Sequence, residues 1–380
     1  MVYFDNAATT FPKPNYVLET VVKAIKIYGG NPGHGGHSIA MNTARKIYET
    51  REKVANFFNA SVERVIFTQN CTMATNIAIK GVLEKGDHVI ISDLEHNAVY
   101  RPINKLSTSG IISYDVAEVF DDDEKTLLEF KSKILHNTKA IVCTHSSNVT
   151  GKVLPINLIG KLCKENNIIF IVDSAQSAGV LPIDVEKDNI SILCAAGHKG
   201  LYGITGTGFL IINTEMTIKT LIDGGTGSAS TDILMPKNYP DRFEAGTINT
   251  VGILSVGAGI DVINKISRES IYDHEINSCK YVFKELSKMQ NVKLYQKSIE
   301  KYQNTPLVSF NILGKNSDEI AEKLNEMGFA VRAGLHCSPL AHKKCGTLMT
   351  GIVRFSPSFM NKSSSIESFV KIIKKISENS

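Results

Sequence analysis

Short apolar runs alternate with longer stretches of helical periodicity over roughly residues 64 to 214. RVIFTQ, HVIISD, KAIVCTH, NIIFIVD, ISILCAA and GTGFLII each read as a strand. Several are apolar at both alternations, the pattern of strands covered on two faces. Amphipathic stretches such as TMATNIAIKGVLEKG and INLIGKLCKENN lie between them, and the second keeps Ile156, Ile159 and Leu162 near one helical face. This alternation predicts an α/β domain built on a mostly parallel sheet.

The pattern changes at about residue 252. GILSVGAGIDVINKIS and SIYDHEINSCKYVFKELSKM are helical, PLVSFNI, FAVRA and GIVRFS are β-like, and a last helix is expected near 364–376. The tail reads as a smaller α+β domain. The glycine clusters GGNPGHGGHS and DGGTGSAST read as loops, because periodic apolar segments flank both.

The length of 380 residues agrees with two domains. Net charge is 42 − 38 = +4, with the basic residues spread along the chain, so neither a nucleic-acid nor a membrane partner is expected. No apolar run approaches the roughly 18 residues of a membrane span, and MVYFDNAATT lacks the order of a signal peptide. The seven cysteines are odd in number and form no CxxC pair, which argues against a zinc site or a disulfide framework. A cytoplasmic location is the expectation. Most of the thiols lie in apolar runs and read as packing residues.

Ligands of α/β sheets bind beyond the carboxyl ends of the strands. There the chain places Cys71, Thr72 and Met73; Glu95, His96 and Asn97; Ser146, Ser147 and Asn148; Asp173; and His198 and Lys199. Read singly, each is also a cap or a solvated loop residue, and a loop histidine such as His96 is usually just that. Together they suggest a site. A lysine shielded from water becomes a nucleophilic amine suited to Schiff-base chemistry. A carboxylate such as Asp173 can keep a pyridine nitrogen protonated. Thr72 and Met73 open a helical pattern, whose N-terminus suits a phosphate. Cys337, in RAGLHCSPL, is the one cysteine in a turn bounded by glycine and proline.

These motifs resemble a known family. YFDNAATTFP, FTQNCTMATN, EHNAVYRP, HSSNVTG, VDSAQSAG, AAGHKGLYGITGTG, FEAGTINT, RAGLHCSPL and GIVRFS, in this order, are similar to the fold-type I pyridoxal-phosphate enzymes of the class V aminotransferase-like family. Within it, the likeness is to the cysteine desulfurase and selenocysteine lyase group. The fold implied is a large domain with a mostly parallel seven-stranded sheet between helices, expected over 14–258, with a small α+β domain from 1–13 and 259–380. The cofactor implied is pyridoxal 5'-phosphate. Lys199 would bond it as a Schiff base and shuttle the substrate α-proton, and Asp173 would pair with its ring nitrogen. Gln176 and Asn148 would bond near the ring O3' and the substrate, and His96 would stack on the ring and protonate intermediates. Thr72, the Met73 amide and His198 would hold the phosphate, with Thr247 reaching the phosphate of the other subunit in a homodimer. Arg354 would clamp the substrate carboxylate, with Ala7 beside the substrate. Cys337 would attack the sulfur of L-cysteine, release alanine and pass the persulfide to an acceptor protein, for example in iron–sulfur cluster assembly.

Ala196 departs from the family pattern, which places Ser or Thr there as a phosphate ligand; one neutral hydrogen bond of about 0.5–1.5 kcal/mol is missing or replaced. RAGLHC matches the subtype with a short RxGxHC segment rather than a long mobile loop. The attacking sulfur must be a thiolate, and the neighbouring His336 is expected to favour it. His342 and Cys345 lack an evident fourth partner for a metal, so packing is the plainer role and no metal is expected. The alternatives are a selenocysteine lyase, another class V enzyme, or a non-catalytic sulfur-relay scaffold.

Overall fold

The computed structural model describes residues 1–33 and 36–378; positions 34 and 35, in the first glycine cluster, lie outside the described residues. The chain begins with β1 (Val2–Tyr3), α1 (Asn15–Ile27) and α2 (Ser38–Phe58). It then builds a sheet from β2 (Val65–Thr68), β3 (His88–Ser92), β4 (Ser113–Ala117), β5 (Thr138–Thr144), β6 (Ile169–Asp173), β7 (Ile192–Ala196) and β8 (Gly208–Ile212). The helices interleaved with these strands are α3 (Cys71–Val82), α4 (Asn97–Thr108), α5 (Asp123–Ser132) and α6 (Ile156–Glu165). The order across the sheet is β2-β8-β7-β6-β5-β3-β4.

All six strands read from the sequence are present. β4 completes the seven. It lies at the sheet edge, where Ser113 and Asp115 are exposed, so it lacks the apolar run that marks strands buried on two faces. β8 is antiparallel to both neighbours, and the remaining pairs are parallel. Two reversals cancel, so β2 points the same way as β7. The carboxyl ends of β2, β3, β5, β6 and β7 therefore open on one edge, which is where the site forms.

Beyond the sheet come α7 (Thr250–Ile266) and α8 (Arg268–Leu286). α7 is unbroken across residue 258 and packs against α1 and α2. The chain turns at Ser267, whose φ of 80° cannot continue a helix, and the Ser267 side chain caps α8 by accepting from the Ser270 N–H. A three-stranded antiparallel sheet, β9 (Val292–Leu294), β10 (Val308–Ile312) and β12 (Val353–Phe355), follows with α9 (Ser317–Glu326), β11 (Phe329–Ala330), α10 (Pro339–Cys345) and α11 (Ser363–Glu378). β1 pairs in parallel with β11. The start of the chain is thus tied to its end: Phe4 is fully buried, 4.6 Å from Phe355 and 5.3 Å from Phe369 between ring centroids.

Gly259 brings α7 against the turn that follows Lys199. A Cβ added there would fall 1.8 Å from the Leu201 carbonyl oxygen, so the two backbones touch only because a side chain is missing. Gly259→Ala is expected to lower the unfolding free energy by about 1–3 kcal/mol, as overpacked core positions do. Urea denaturation followed by far-ultraviolet circular dichroism measures it.

Candidate active site

Lys199 and Asp173 meet in a cavity of about 230 Å³ at the carboxyl edge, which His96, Asn148, Gln176 and His198 also border. The main chain at the lysine is held from the start of the sequence. Thr10 N, Thr9 Oγ1 and Lys13 Nζ all donate to the His198 carbonyl, at 3.1, 3.1 and 2.8 Å, and Thr10 Oγ1 donates to the Lys199 carbonyl at 2.8 Å. Burial lowers the Lys199 pKa, the Arg354 charge lowers it further, and Asp173 opposes both. The shift favours the neutral amine.

Asp173 ends β6 and is 3% exposed. Its Oδ1 accepts from Ala175 N at 2.9 Å and from the Cys71 thiol at 3.4 Å, while Oδ2 accepts nothing among the described residues. One carboxylate oxygen is fixed by the protein and the other is left for a ligand. Cys71 thus belongs to the site, although only its place before Thr72 signalled this in the sequence. Burial, then the charge of Asp173, raises its pKa, so it remains a thiol that donates.

Helix α3 begins at the mouth of the cavity. Asn70 caps it, with Oδ1 accepting from Met73 N at 2.8 Å. The Met73 amide, expected to face a phosphate, therefore already has a partner. Cys71 and Thr72 occupy the first helical positions, whose N–H groups have no partner within the helix. His198 is kept neutral, its pKa lowered to about 4 by burial and by the charges of Lys199 and Lys13, and its Nδ1 is buried without a partner. Ala196 borders the cavity with a methyl group. His96 caps α4, Nδ1 accepting from Ala98 N at 3.0 Å. Burial lowers its pKa, so the neutral ring carries its proton on Nε2.

Gln176 Nε2 donates to the Ala7 carbonyl at 3.0 Å, and Ala7 N donates to Ser356 Oγ at 3.0 Å; Ala8 borders the cavity, whereas Ala7 borders a smaller adjoining pocket with Gln176 and Lys199. Arg354 is 2% exposed. Its Nη2 meets Asp5 Oδ1 at 3.0 Å, Nη1 donates to the Asn148 carbonyl at 2.8 Å, and Nε is unpartnered. A second arginine arrives with it: Arg354 N donates to Arg332 O at 2.8 Å. Arg332 has no ion pair among the described residues, yet its charge bears on Asp5, His96 and Lys199. The sequence held this residue inside RAGLHC without giving it a role. Two arginines paired across adjacent backbones, with both charges felt at Lys199, suit a carboxylate.

Thr247 lies apart from this cavity. It is exposed and, with Met73, borders a neighbouring cavity of about 200 Å³. The buried bidentate pair Arg51–Glu244, at 2.7 and 2.9 Å, and the Phe67 N donation to Glu244 Oε1 at 2.7 Å tie its segment to β2.

Cys337 is exposed, and the turn carrying it has φ of 48° at His336 and 58° at Cys337. Asn97 N, the first amide of α4, donates to the Cys337 carbonyl at 2.7 Å. His336 does not supply the positive charge expected beside the thiol. It is buried, its Nε2–H donates to Ile352 O at 3.0 Å, and burial with the Arg354 charge drives its pKa far down. His342 stacks on it at 5.7 Å and bonds Thr347 Oγ1 at 2.8 Å, while Cys345 borders a different cavity beside Tyr295 and Lys344.

A lysine with lowered pKa, an unshared carboxylate oxygen, an orphaned His198 nitrogen and a helix N-terminus fit an aromatic aldehyde bearing a phosphate, so the residues present suit pyridoxal phosphate. The comparisons with known proteins agree. Residues 2–369 match the aminotransferase class-V family. A probable cysteine desulfurase of Methanothermobacter thermautotrophicus is 32% identical over 99% of this chain and 94% of its own length, and one from Pyrococcus abyssi is 31% identical over the same shares. The solved apo structure of a cysteine desulfurase from Thermococcus onnurineus NA1 superposes with a TM-score of 0.92 at 29% identity, covering 100% of this chain and 95% of that one. The chain belongs to the class-V aminotransferase family.

Glu95, beside His96, makes a pH prediction. It is fully buried; Oε1 accepts from Ser92 Oγ and from Thr144 N, Oε2 has no partner, and burial pushes its pKa up to about 8 from an ordinary 4.5. Between these two values the folded chain holds a proton that the unfolded chain has released, so stability falls as pH rises through the window. Glu95→Gln removes this titration. Its urea-unfolding free energy is expected to fall less than wild type between pH 5 and pH 8, and parallel profiles would refute the assignment.

Proposed function

We propose that this protein is a pyridoxal-phosphate-dependent cysteine desulfurase that converts L-cysteine to L-alanine and carries the sulfur as a persulfide on Cys337. The observation that carries the reading is the 2.7 Å bond from Asn97 N to the Cys337 carbonyl. It ties an exposed thiol turn to the residue next to His96, at the rim of the Lys199–Asp173 cavity. A plain transaminase has no use for that thiol.

In this reading Asp173 Oδ2 would hold the ring nitrogen, and His198, Thr72 and the first turn of α3 would hold the phosphate. When bound, the ring accepts the electron pair left on the substrate α-carbon. Arg354 and Arg332 receive the substrate carboxylate, with Arg354 exchanging its contact with Asp5 for it. The Lys199 amine takes the α-proton. Gln176 and Asn148, which border the cavity, would hold the ring, and His96 would return a proton from Nε2. The Cys337 thiolate attacks the substrate sulfur: the new S–S bond forms, the C–S pair stays with carbon, and protonation of that carbon gives alanine. The sulfur then passes to an acceptor protein, for which an exposed Cys337 suffices.

A homodimer is part of the proposal. It is supported by the exposed apolar residues of α1 and α2, among them Val22, Ile25, Ile39 and Met41, and by Thr247 lying outside its own chain's cavity. A reducing, cytoplasmic setting suits the seven free thiols.

The test is alanine release from L-cysteine and from L-selenocysteine by purified wild type, Cys337→Ala, Lys199→Ala and Arg354→Lys. Cys337→Ala is expected to lose at least about 100-fold with cysteine, Lys199→Ala to lose the visible absorbance of the bound cofactor, and Arg354→Lys to raise KM about tenfold. Full activity of Cys337→Ala on cysteine would sink the persulfide step, and activity confined to selenocysteine would favour a selenocysteine lyase. Sedimentation equilibrium is expected to return twice the chain mass; a monomer would remove the shared site.

A further inference from the structure

The residues on either side of Cys337 are held by one side chain. Asn148 Nδ2 donates to the His336 carbonyl at 2.7 Å, and Asn148 Oδ1 accepts from Ser338 Oγ at 2.6 Å. Asn148 is 8% exposed and follows the end of β5. Its own carbonyl accepts from Arg354 Nη1 at 2.8 Å. The turn needs such support from outside itself. His336 and Cys337 are consecutive non-glycine residues with left-handed backbones, φ 48° and 58°, a conformation side chains disfavour. Within the turn, Ser338 N donates to Leu335 O at 3.0 Å. The main-chain carbonyls of His336 and Cys337 accept from Asn148 Nδ2 at 2.7 Å and from Asn97 N at 2.7 Å, and from inside the turn only at 3.5 Å, from Ser338 Oγ to His336 O, among the described residues.

We infer that Asn148 is a positioning residue, a latch that keeps the Cys337 turn in its left-handed form and joins it to the Arg354 guanidinium. An amide has two donors and two acceptor sites, so the latch uses half of the side chain and leaves half free toward the cavity. Substrate carboxylate on Arg354 would then act on the thiol turn through the Asn148 main chain. The catalytic consequence rests on the reading of Cys337 as the sulfur carrier, whereas the latch itself does not.

Hydrogen–deuterium exchange of the holoenzyme tests it, read by mass spectrometry at two amides: Ser338 N–H, inside the turn, and Asn97 N–H, which grips Cys337 O. In Asn148→Ala both are expected to exchange about tenfold faster than wild type, as loss of one or two hydrogen bonds implies, while amides of β6 keep their rates. kcat falls in Asn148→Ala and, to a smaller extent, in Ser338→Ala, whose fully buried side chain does not border the cavity and which therefore keeps the wild-type KM for cysteine and cofactor absorbance. Ser338→Ala, which loses one of the two bonds, gives a smaller acceleration and guards against misfolding of the first variant. Asn148→Asp keeps the acceptor for Ser338 Oγ and recovers part of the protection at Ser338. Unchanged exchange in both Asn148→Ala and Ser338→Ala overturns the latch. A shifted absorbance with unchanged exchange makes Asn148 a cofactor ligand instead. Faster exchange with unchanged kcat overturns the positioning role. Failure of the sulfur-carrier reading would appear separately, as an active Cys337→Ala.

Discussion

A single buried guanidinium joins the parts of the chain that make the site. Arg354 comes from β12, Asp5 from the start of the chain and Asn148 from the loop after β5, and the three meet at 3.0 and 2.8 Å. Placing a full charge where it is 2% exposed costs desolvation that these contacts offset. The arrangement is incomplete, since Arg354 Nε has no partner and burial raises the pKa of Asp5 against the pull of the arginine. Such a cation is held in place but still has capacity for a better anion. A substrate carboxylate would meet a preorganised site, with Arg332 adding a second positive charge.

The rest of the site follows the same logic of partial satisfaction. Asp173 has one oxygen fixed by Ala175 and Cys71 and one open. His96 spends Nδ1 on capping α4 and keeps Nε2 for the cavity. The Lys199 peptide is pinned by Thr9, Thr10 and Lys13, which leaves the amine as the mobile part. Main chain and orienting atoms are fixed by hydrogen bonds, and the atoms facing the cavity are left unpaired. This costs stability, most plainly at His198, whose Nδ1 is buried without a partner, and it provides groups already in place when a ligand arrives.

Much of the fold was legible because strands covered on both faces are apolar at nearly every position, and β3, β6, β7 and β8 are buried almost throughout. β4 and β9 were not, since each lies at a sheet edge with partial exposure and so carries a weak pattern. Lys199, Asp173, His96 and Asn148 were legible as strand-end residues. Cys71 was legible as a strand-end residue too, but not as a donor to Asp173, since the 3.4 Å contact joins the ends of two different strands. His336 misled, because adjacency to Cys337 in sequence suggested a charge that burial removes.

The sequence by itself determined the strand–helix alternation, the edge at which chemistry gathers, the family, and the identity of the nucleophilic candidates. These depend on local pattern and on residue type, which a linear chain displays. Only the tertiary structure decided which nitrogen of His96 is free, that Met73 N is already engaged, that Arg332 joins Arg354, and that Asn148 grips the turn of Cys337 from 188 and 190 positions away. Those facts concern hydrogen-bond geometry and burial between segments far apart in the chain. No periodicity encodes them, because each bond depends on where two distant backbones are brought by packing that many other residues share.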